Sequence, residues 1–461
     1  MSFQKYYKQL QSQTGIKAYV KKRLFNHLLK ELVKQEKEIE KQKKTINSLF
    51  SISKKQEQDR AIQNKTLIKM EKMLLEQKSL LLSQEMLITT LASHTMLPEW
   101  KTKKIVQLVP GVNYGDAVGN DVIALQKYLT DKGYNTGLYA PRIDARLKNL
   151  GIHYLSVMPV MQVDDILIYH YTHCPPNMEQ ILNNCNCRKI MIYHNITPPV
   201  YFQKYRPEFA KLLSERRIKL QGQKDLFMCC LTDSEYNKVD LQNEGYSCPI
   251  EVLPILVPVE DYMQTPDGNI LERYSHDGIT NILFVGRIVP NKRIEDVIRV
   301  FSYYHININS KSRLFIVGSD AMGGDVYPYL LKSLVEDNGM EEHILFTGHI
   351  SFTELLAYYK LADVFLCMSE HEGFCVPLIE AMLFSVPILA YDAAAVPETI
   401  GDAGIIVNTK DPATVAESLH RLVTDLALRE SLSEKMQKRI DYFSYKNITE
   451  KFESYLNAMI K

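Results

Sequence analysis

LADVFLCMSEHEGFCVPLIEAMLF, residues 361–384, is the stretch whose reading decides the fold. Val364 to Cys367 is an unbroken apolar run of strand length. Gly373 permits a tight turn, and Pro377 suits the first position of a helix expected from Leu378 to about Phe384. Strand, loop and helix in that order are the repeating piece of a parallel sheet. Glu372 then falls in the loop at the strand's carboxyl end and Glu380 in the first helical turn, so both carboxylates can face a cleft beyond the sheet.

The same alternation runs outward in both directions. Apolar runs at residues 282–285, 314–317, 344–347, 388–391 and 405–407 predict the other strands of this half, with helices from Ala413 to the end. An earlier set at residues 105–109, 136–139, 166–169, 189–193, 226–231 and 250–253 predicts a second sheet of similar size. The breaker-rich piece 264–280, with TPDGN and SHDG, reads as a linker. The expected organisation is therefore α/β: two Rossmann-like doubly wound domains, 98–263 and 281–461, joined by 264–280 and facing each other across a cleft, with the last helix able to return to the first domain.

Residues 1–97 read differently. No Gly or Pro occurs between Gly15 and Pro98, and a heptad seam starts at Phe25 and continues through Leu32, Ile39 and Ile46 to Ile88. A helix from Phe25 to Leu91 would be about 100 Å long and could not bury its stripe alone. A coiled coil that makes a homo-oligomer through residues 25–91 is expected, with a hinge or break near Ser53 to Gln63, where polar residues interrupt the seam. The alternative is one exposed helix folded back on the body. Lys17, Lys21, Lys22 and Arg23 suit anionic lipid heads, a peripheral membrane contact, as well as they suit a solvated basic face.

Composition narrows the function classes. Residues 1–100 carry 19 Lys/Arg against 10 Asp/Glu, while the rest carry 36 against 44, so no basic stripe for nucleic acid runs through the α/β body. There is neither an apolar run of membrane-spanning length nor a secretory leader, and the expectation is a cytoplasmic protein, at most peripheral at the inner face of the membrane. The eight cysteines fit neither zinc-knuckle nor redox spacing and read as reduced thiols. His170 and His173 lack a third ligand placed by sequence and read as structural or acceptor-side; no metal and no cofactor are expected.

Two loops carry the chemistry. GRIVPNKR, after the strand at 282–285, places Arg287 and Lys292 together, with Gly286 leaving room for backbone approach. Guanidinium, ammonium and a helix start favour an anion. Glu372 and Glu380 suit neutral hydroxyls, from which a carboxylate accepts strong hydrogen bonds. Glu380 alone would equally suit a helix N-terminal acid. Cations for a diphosphate and acids for hydroxyls together describe a nucleotide sugar.

VGRIVPNKRIEDVI, FTGHIS, YKLADVFLCMSEHEGFCVPLIEAMLFSVPILAYD and VPETIGDAGIIV together resemble the glycosyltransferase group 1 family, also called family 4, retaining enzymes of the GT-B fold. The resemblance covers roughly Ile105 to the C-terminus, strongest from Asn281 to Val407. It implies that Arg287 and Lys292 bind the diphosphate, that Glu372 lies near the transferred sugar, and that Glu380 holds the ribose. It also implies that Gly373 and Phe374 touch sugar and phosphate through their backbone and that His349 and Ile350 lie near the base. The glycine loop VPGVNYGDAVGNDVIAL would bring Gly115 and Asp116 to the cleft, and YHNITPPVYF would bring His194 to the donor sugar. Two positions depart from the family pattern: Ala393 to Ala395 stand where a glycine pair is frequent, and Arg293 replaces a frequent glycine.

The implied reaction is metal-independent transfer of a hexosyl group, with retained configuration, from a nucleoside diphosphate sugar to a saccharide or lipid-linked hydroxyl acceptor in cell-surface polysaccharide or glycoconjugate synthesis. Arg287 and Lys292 would stabilise the departing diphosphate, and Glu372 would orient the sugar. The rival readings are a non-catalytic coiled-coil scaffold with a GT-B cleft and a nucleotide-sugar epimerase.

Overall fold

The computed structural model describes residues 16–53, 103–319 and 326–460. The chain divides into two units, Met1–Thr102 and Lys103–Lys461. In the first, one helix spans Ile16–Ser53; the rest of the expected seam and the stretch expected to hinge lie outside the described residues.

The second unit holds two all-parallel sheets. Strands β1 (Lys104–Leu108), β2 (Asn135–Ala140), β3 (Ile152–Tyr154), β4 (Ile166–Tyr171), β5 (Arg188–Tyr193), β6 (Cys229–Thr232) and β7 (Ile250–Val252) form a sheet in the order β3-β2-β1-β4-β5-β6-β7. Strands β8 (Thr280–Val285), β9 (Ser312–Val317), β10 (Ile344–Gly348), β11 (Val364–Cys367), β12 (Ile388–Tyr391) and β13 (Ile405–Val407) form the other, β10-β9-β8-β11-β12-β13. In each sheet the order reverses beside the first strand, which opens a crevice at the carboxyl ends where ligands bind in this class. The strands read as continuous apolar runs because helices cover both faces: β4 and β11 are buried at every residue.

Three local readings change. A short strand, β3, extends the first sheet where only three residues, Ile152 to Tyr154, pair with β2. The expected linker holds a helix, Gly268–Tyr274, because Asp267 caps it by accepting from the Ile270 amide at 2.9 Å. The helix after Gly373 starts at Val376 rather than Leu378, so Glu380 falls in the second turn.

The C-terminal helix, Tyr445–Ile460, packs Ile448, Phe452 and Leu456 into the same apolar cluster as Leu125, Leu129 and Ile168 of the first lobe. Lys132 pairs with Glu453 at 3.0 Å beside it. The last element of the chain is therefore part of the first lobe's core. Among the described residues no helix is long and apolar enough to cross a membrane.

Candidate active site

The donor-side loop begins where β8 outruns its sheet. The amides of Gly286 and Ile288 bond to the carbonyls of Val317 and Ser319 at 2.9 and 3.1 Å, so the intervening Arg287 faces away from β9. It is exposed and has no side-chain partner among the described residues. The crossing is bare backbone: a Cβ on Gly318 would come within 1.9 Å of the Gly286 carbonyl oxygen.

Three residues on, the chain makes a short turn, Pro290–Lys292, and Asn291 clamps it to the β11 loop. Its amide donates to the His371 carbonyl at 2.9 Å, and its own carbonyl accepts from the Glu370 amide at 2.9 Å. The clamp delivers Lys292 to Glu372, and the two form a buried ion pair. Burial by itself would strip the lysine's proton, but the adjacent Glu372 carboxylate outweighs it and the Lys292 pKa ends above its ordinary value. Arg293 follows with a left-handed backbone, φ 51°, and Ala394 has φ 52°. These are the two places where the chain departs from the frequent glycine pattern, so glycine's freedom explains the pattern. Here Arg293 holds its strained position by pairing with Glu295, Asp296 and Glu370 at 2.9–3.3 Å.

Glu380 does not face open space. It is 7% exposed, and its two oxygens accept from the hydroxyls of Tyr262 and Tyr359, each at 2.6 Å. Burial raises its pKa while the two tyrosines oppose the rise. The expectation that it looks into the cleft is corrected by the helix start: in the second turn it points among the second lobe's aromatic residues. Phe374 packs edge-on against Phe443 with centroids 5.4 Å apart. His349 is exposed after β10, and Ile350 packs against the second lobe's core.

On the first lobe, Gly115 is left-handed (φ 75°) with open space around it. Asp116 is the N-cap of helix Ala117–Asp131, accepting from the Gly119 amide at 2.6 Å and from Asn113 at 2.9 Å. Its carboxylate caps the helix start.

His194 is the larger correction. Its ring is 1% exposed and both nitrogens are engaged. Nδ1 lies 3.2 Å from the Asp233 carboxylate, and Nε2 lies 3.0 Å from Nδ1 of His170. His170 Nε2 in turn meets Gln107 Oε1 at 2.8 Å. The two rings are 5° from parallel with centroids 5.3 Å apart. At a nitrogen separation of 3.0 Å they must lie end to end in one plane, since face-stacked rings could not approach so closely.

The proton inventory follows from these partners. Gln107 Oε1 can only accept, so His170 carries hydrogen on Nε2. The Asp233 carboxylate accepts from His194 Nδ1. The two facing nitrogens would then both be bare, and a short head-on contact needs one more proton between them. An imidazolium at His194, donating to His170, satisfies all four ring nitrogens. Burial works against that charge and Asp233 with Asp121 works for it, leaving the His194 pKa raised. Burial lowers His170, and His194 lowers it further. Asp121, whose ligand atom lies within 4.8 Å of both rings, is lifted by burial to about 7. His194 therefore has no nitrogen left for a sugar.

What His194 positions is its neighbour. Asn195, left-handed at φ 70°, accepts from His371 Nε2 at 2.8 Å and donates to Asn237 at 2.7 Å. Tyr236 closes the chain by donating to His371 Nδ1 at 3.3 Å, so His371 is the neutral Nε2–H tautomer. Burial pushes its pKa down to about 4, with Glu372 opposing. Ser234 donates to the Gly373 carbonyl at 2.7 Å, and Glu398 accepts from the Glu235 amide at 2.8 and 2.9 Å and from the Tyr236 amide at 3.4 Å, at the start of the first-lobe helix Glu235–Asn243. The two lobes are thus joined along the loop that carries Glu372. Sequence reasoning passed over Asn195, His371 and Glu398, although each sits inside a quoted motif (YHNITPP, SEHEGF, VPET); polar residues beside the charged positions were the available signal.

Residues 275–439 match the family model described as glycosyl transferases group 1. Among curated relatives, O-antigen chain mannosyltransferase B of Escherichia coli is 24% identical over 57% of this chain and 68% of its own length. The capsular polysaccharide biosynthesis glycosyltransferase CapM of Staphylococcus aureus is 27% identical over 42% of this chain and 51% of its own length; the chain thus spans about half of that relative. Among solved structures, sucrose-phosphate synthase from Thermosynechococcus elongatus superposes with TM-score 0.62 at 17% identity, covering 77% of this chain and 99% of that one. Anabaena HepE, solved in complex with UDP-glucose, superposes with TM-score 0.61 at 15% identity, covering 77% and 99%. The second lobe thus matches the glycosyl transferases group 1 model over residues 275–439, and the chain has the two-lobed GT-B fold.

Proposed function

We propose that this chain transfers a hexosyl group, with retained anomeric configuration and without a metal ion, from a nucleoside diphosphate sugar to a hydroxyl acceptor in polysaccharide or glycoconjugate synthesis. The observation that carries the reading is the buried Lys292–Glu372 pair on the loop that also carries the exposed Arg287, which has no side-chain partner among the described residues. Without donor, lysine and carboxylate neutralise each other; a diphosphate arriving at Arg287 competes for the ammonium and frees Glu372 for sugar hydroxyls. Lys292, Arg287 and the amides at the start of helix Val376–Leu383 then stabilise the charge that grows on the leaving diphosphate, in a site whose low polarity strengthens each contact. Glu372 orients the ring and stabilises its cationic character. Asn195 and His371 hold the Glu372 loop.

Names of relatives support the pathway class, since two of them act in O-antigen and capsular polysaccharide synthesis by their descriptions. The test is a thermal-shift panel of UDP, GDP, dTDP and ADP sugars, followed by transfer with the stabilising donor and analysis of the product's anomeric configuration. A ligand that binds only the native state raises the melting temperature. One donor should do so and yield a product of retained configuration; no shift with any donor, or an inverted product, overturns the reading.

A further inference from the structure

The second lobe brings two thiols to the carboxylate on which the transferase reading depends. Cys367 is the last residue of β11, and Cys375 is the N-cap of helix Val376–Leu383. Seven residues separate them, unlike the short Cys spacing of a zinc knuckle, so the sequence alone shows no metal motif. The fold closes that gap. The β11 loop leads into a left-handed backbone at Cys375, φ 74°, and the helix start returns to the strand end. The two sulfurs and a carboxylate oxygen of Glu372 all lie within 4.8 Å of one another.

The donor set selects its ligand. All three residues are buried, and two sulfurs with one oxygen suit a borderline-soft divalent ion of the zinc class, whereas magnesium and calcium take oxygen ligands. Lys292 pairs with Oε1 of Glu372, so the second oxygen is available to an ion. Ser369 supports the nearer sulfur: its hydroxyl accepts from the Cys367 thiol at 3.4 Å, and once that proton leaves, the same hydroxyl donates to the thiolate. The other cluster of ligating side chains, Asp121, His170 and His194, has its ring nitrogens committed to Gln107, to Asp233 and to each other. Cys230 and Cys248 lie 3.5 Å apart in the first lobe, but no third ligand joins them among the described residues.

We propose that Cys367, Cys375 and Glu372 bind a thiophilic divalent cation of the zinc class, with water as the fourth ligand, and that the bound ion inhibits sugar transfer by occupying the carboxylate. The inhibition rests on the transferase reading, and the site rests on this geometry alone. The binding step exchanges the two thiol protons, which go to solvent, for two sulfur–metal bonds, with no change of oxidation state. The divalent charge replaces two protons, so the net charge of the buried site, Lys292 included, is unchanged. Transfer itself uses no ion; the ion withdraws Glu372 from the sugar hydroxyls.

The test titrates the reduced full chain with Co2+ as a spectroscopic probe and then displaces it with Zn2+. Wild type should show thiolate-to-metal absorption in the near ultraviolet with the visible bands of tetrahedral cobalt, and calorimetry in buffers of different ionisation enthalpy should find about two protons released per ion. Cys367→Ser and Cys375→Ser should each weaken zinc binding by more than the roughly tenfold to hundredfold that loss of an outer-shell hydrogen bond costs. Glu372→Gln should weaken it while keeping the thiolate band, and Cys248→Ser should leave it unchanged. Melting curves check that each variant is folded at the titration temperature, and the wild-type proton count needs no variant. Absence of a thiolate band in wild type, or a band that survives loss of both Cys367 and Cys375, overturns the site. Transfer should fall as zinc binds and recover on chelation, and Cys375→Ser should lose that sensitivity; a full rate with zinc bound overturns the inhibition. Zinc held by these thiols in a protein that transfers no sugar from any donor would refute the transferase reading and leave the metal site standing.

Discussion

Lys292 and Glu372 are each more costly alone than together. Removing one partner of a buried pair leaves an uncompensated charge, at about 3 kcal/mol or more, whereas replacing both is often neutral. Glu372→Gln should therefore melt well below wild type, and the Lys292→Met, Glu372→Gln double variant should regain most of that loss without regaining transfer. Recovery of both stability and activity would mean the pair is structural only.

The histidine chain gives a pH prediction at the same scale. His194 holds its proton more tightly folded than unfolded, so its contribution is complete below the unfolded value near 6.5 and disappears as pH rises through the higher folded value. Asp121, lifted from 3.8 to about 7, acts in the same direction. The folded state binds more protons than the unfolded one between those values, so stability falls with rising pH across that window. Asp121→Asn should flatten the slope between pH 4 and 7 and raise the melting temperature at pH 8; an unchanged slope would contradict the assignment. The sequence displayed His194 at a strand end but not its partners, because His170 lies in β4 and Asp233 just beyond the end of β6, and only the sheet order brings their side chains to one line.

Loops and helix starts decide how these residues are presented. Gly373 is a tight joint between the lobes: a Cβ there would lie 3.0 Å from Asn195 Cβ and 3.2 Å from the Asn237 side-chain nitrogen. Gly373→Ala should push the lobes apart at the Glu372 loop, lowering stability by about 1–3 kcal/mol and transfer by more than that loss alone explains. Wild-type kinetics in this variant would show that the lobe contact does not set Glu372. Strand, loop and helix were legible around residues 361–384 because apolar runs, a turn glycine and a helix-start proline agree there. The facing of Glu380 was not, since a start two residues earlier moves a side chain about 200° around the axis relative to the first turn. β3 and helix Gly268–Tyr274 escaped for a related reason: three paired residues leave no periodic signal, and Asp267 with Gly268 reads as a breaker until the cap is seen.

Over the whole molecule, the two-sheet plan followed from the count and spacing of apolar runs, and the sheets adopt the same strand order. The C-terminal helix belongs to the first lobe through Ile448, Phe452 and Leu456. Burying three such side chains contributes on the order of 5 kcal/mol, so deletion of residues 445–461 should lower the melting temperature sharply and expose apolar surface to a reporter dye. A truncated protein that melts like the full chain would contradict that packing. The central claim is that Lys292 leaves Glu372 for a diphosphate. The most direct measurement is the turnover number of Lys292→Met with the matched donor, at a temperature where its melting curve shows a folded protein. The account predicts a loss of about a thousandfold or more, as for removal of a principal transition-state charge; turnover within twofold of wild type would contradict it.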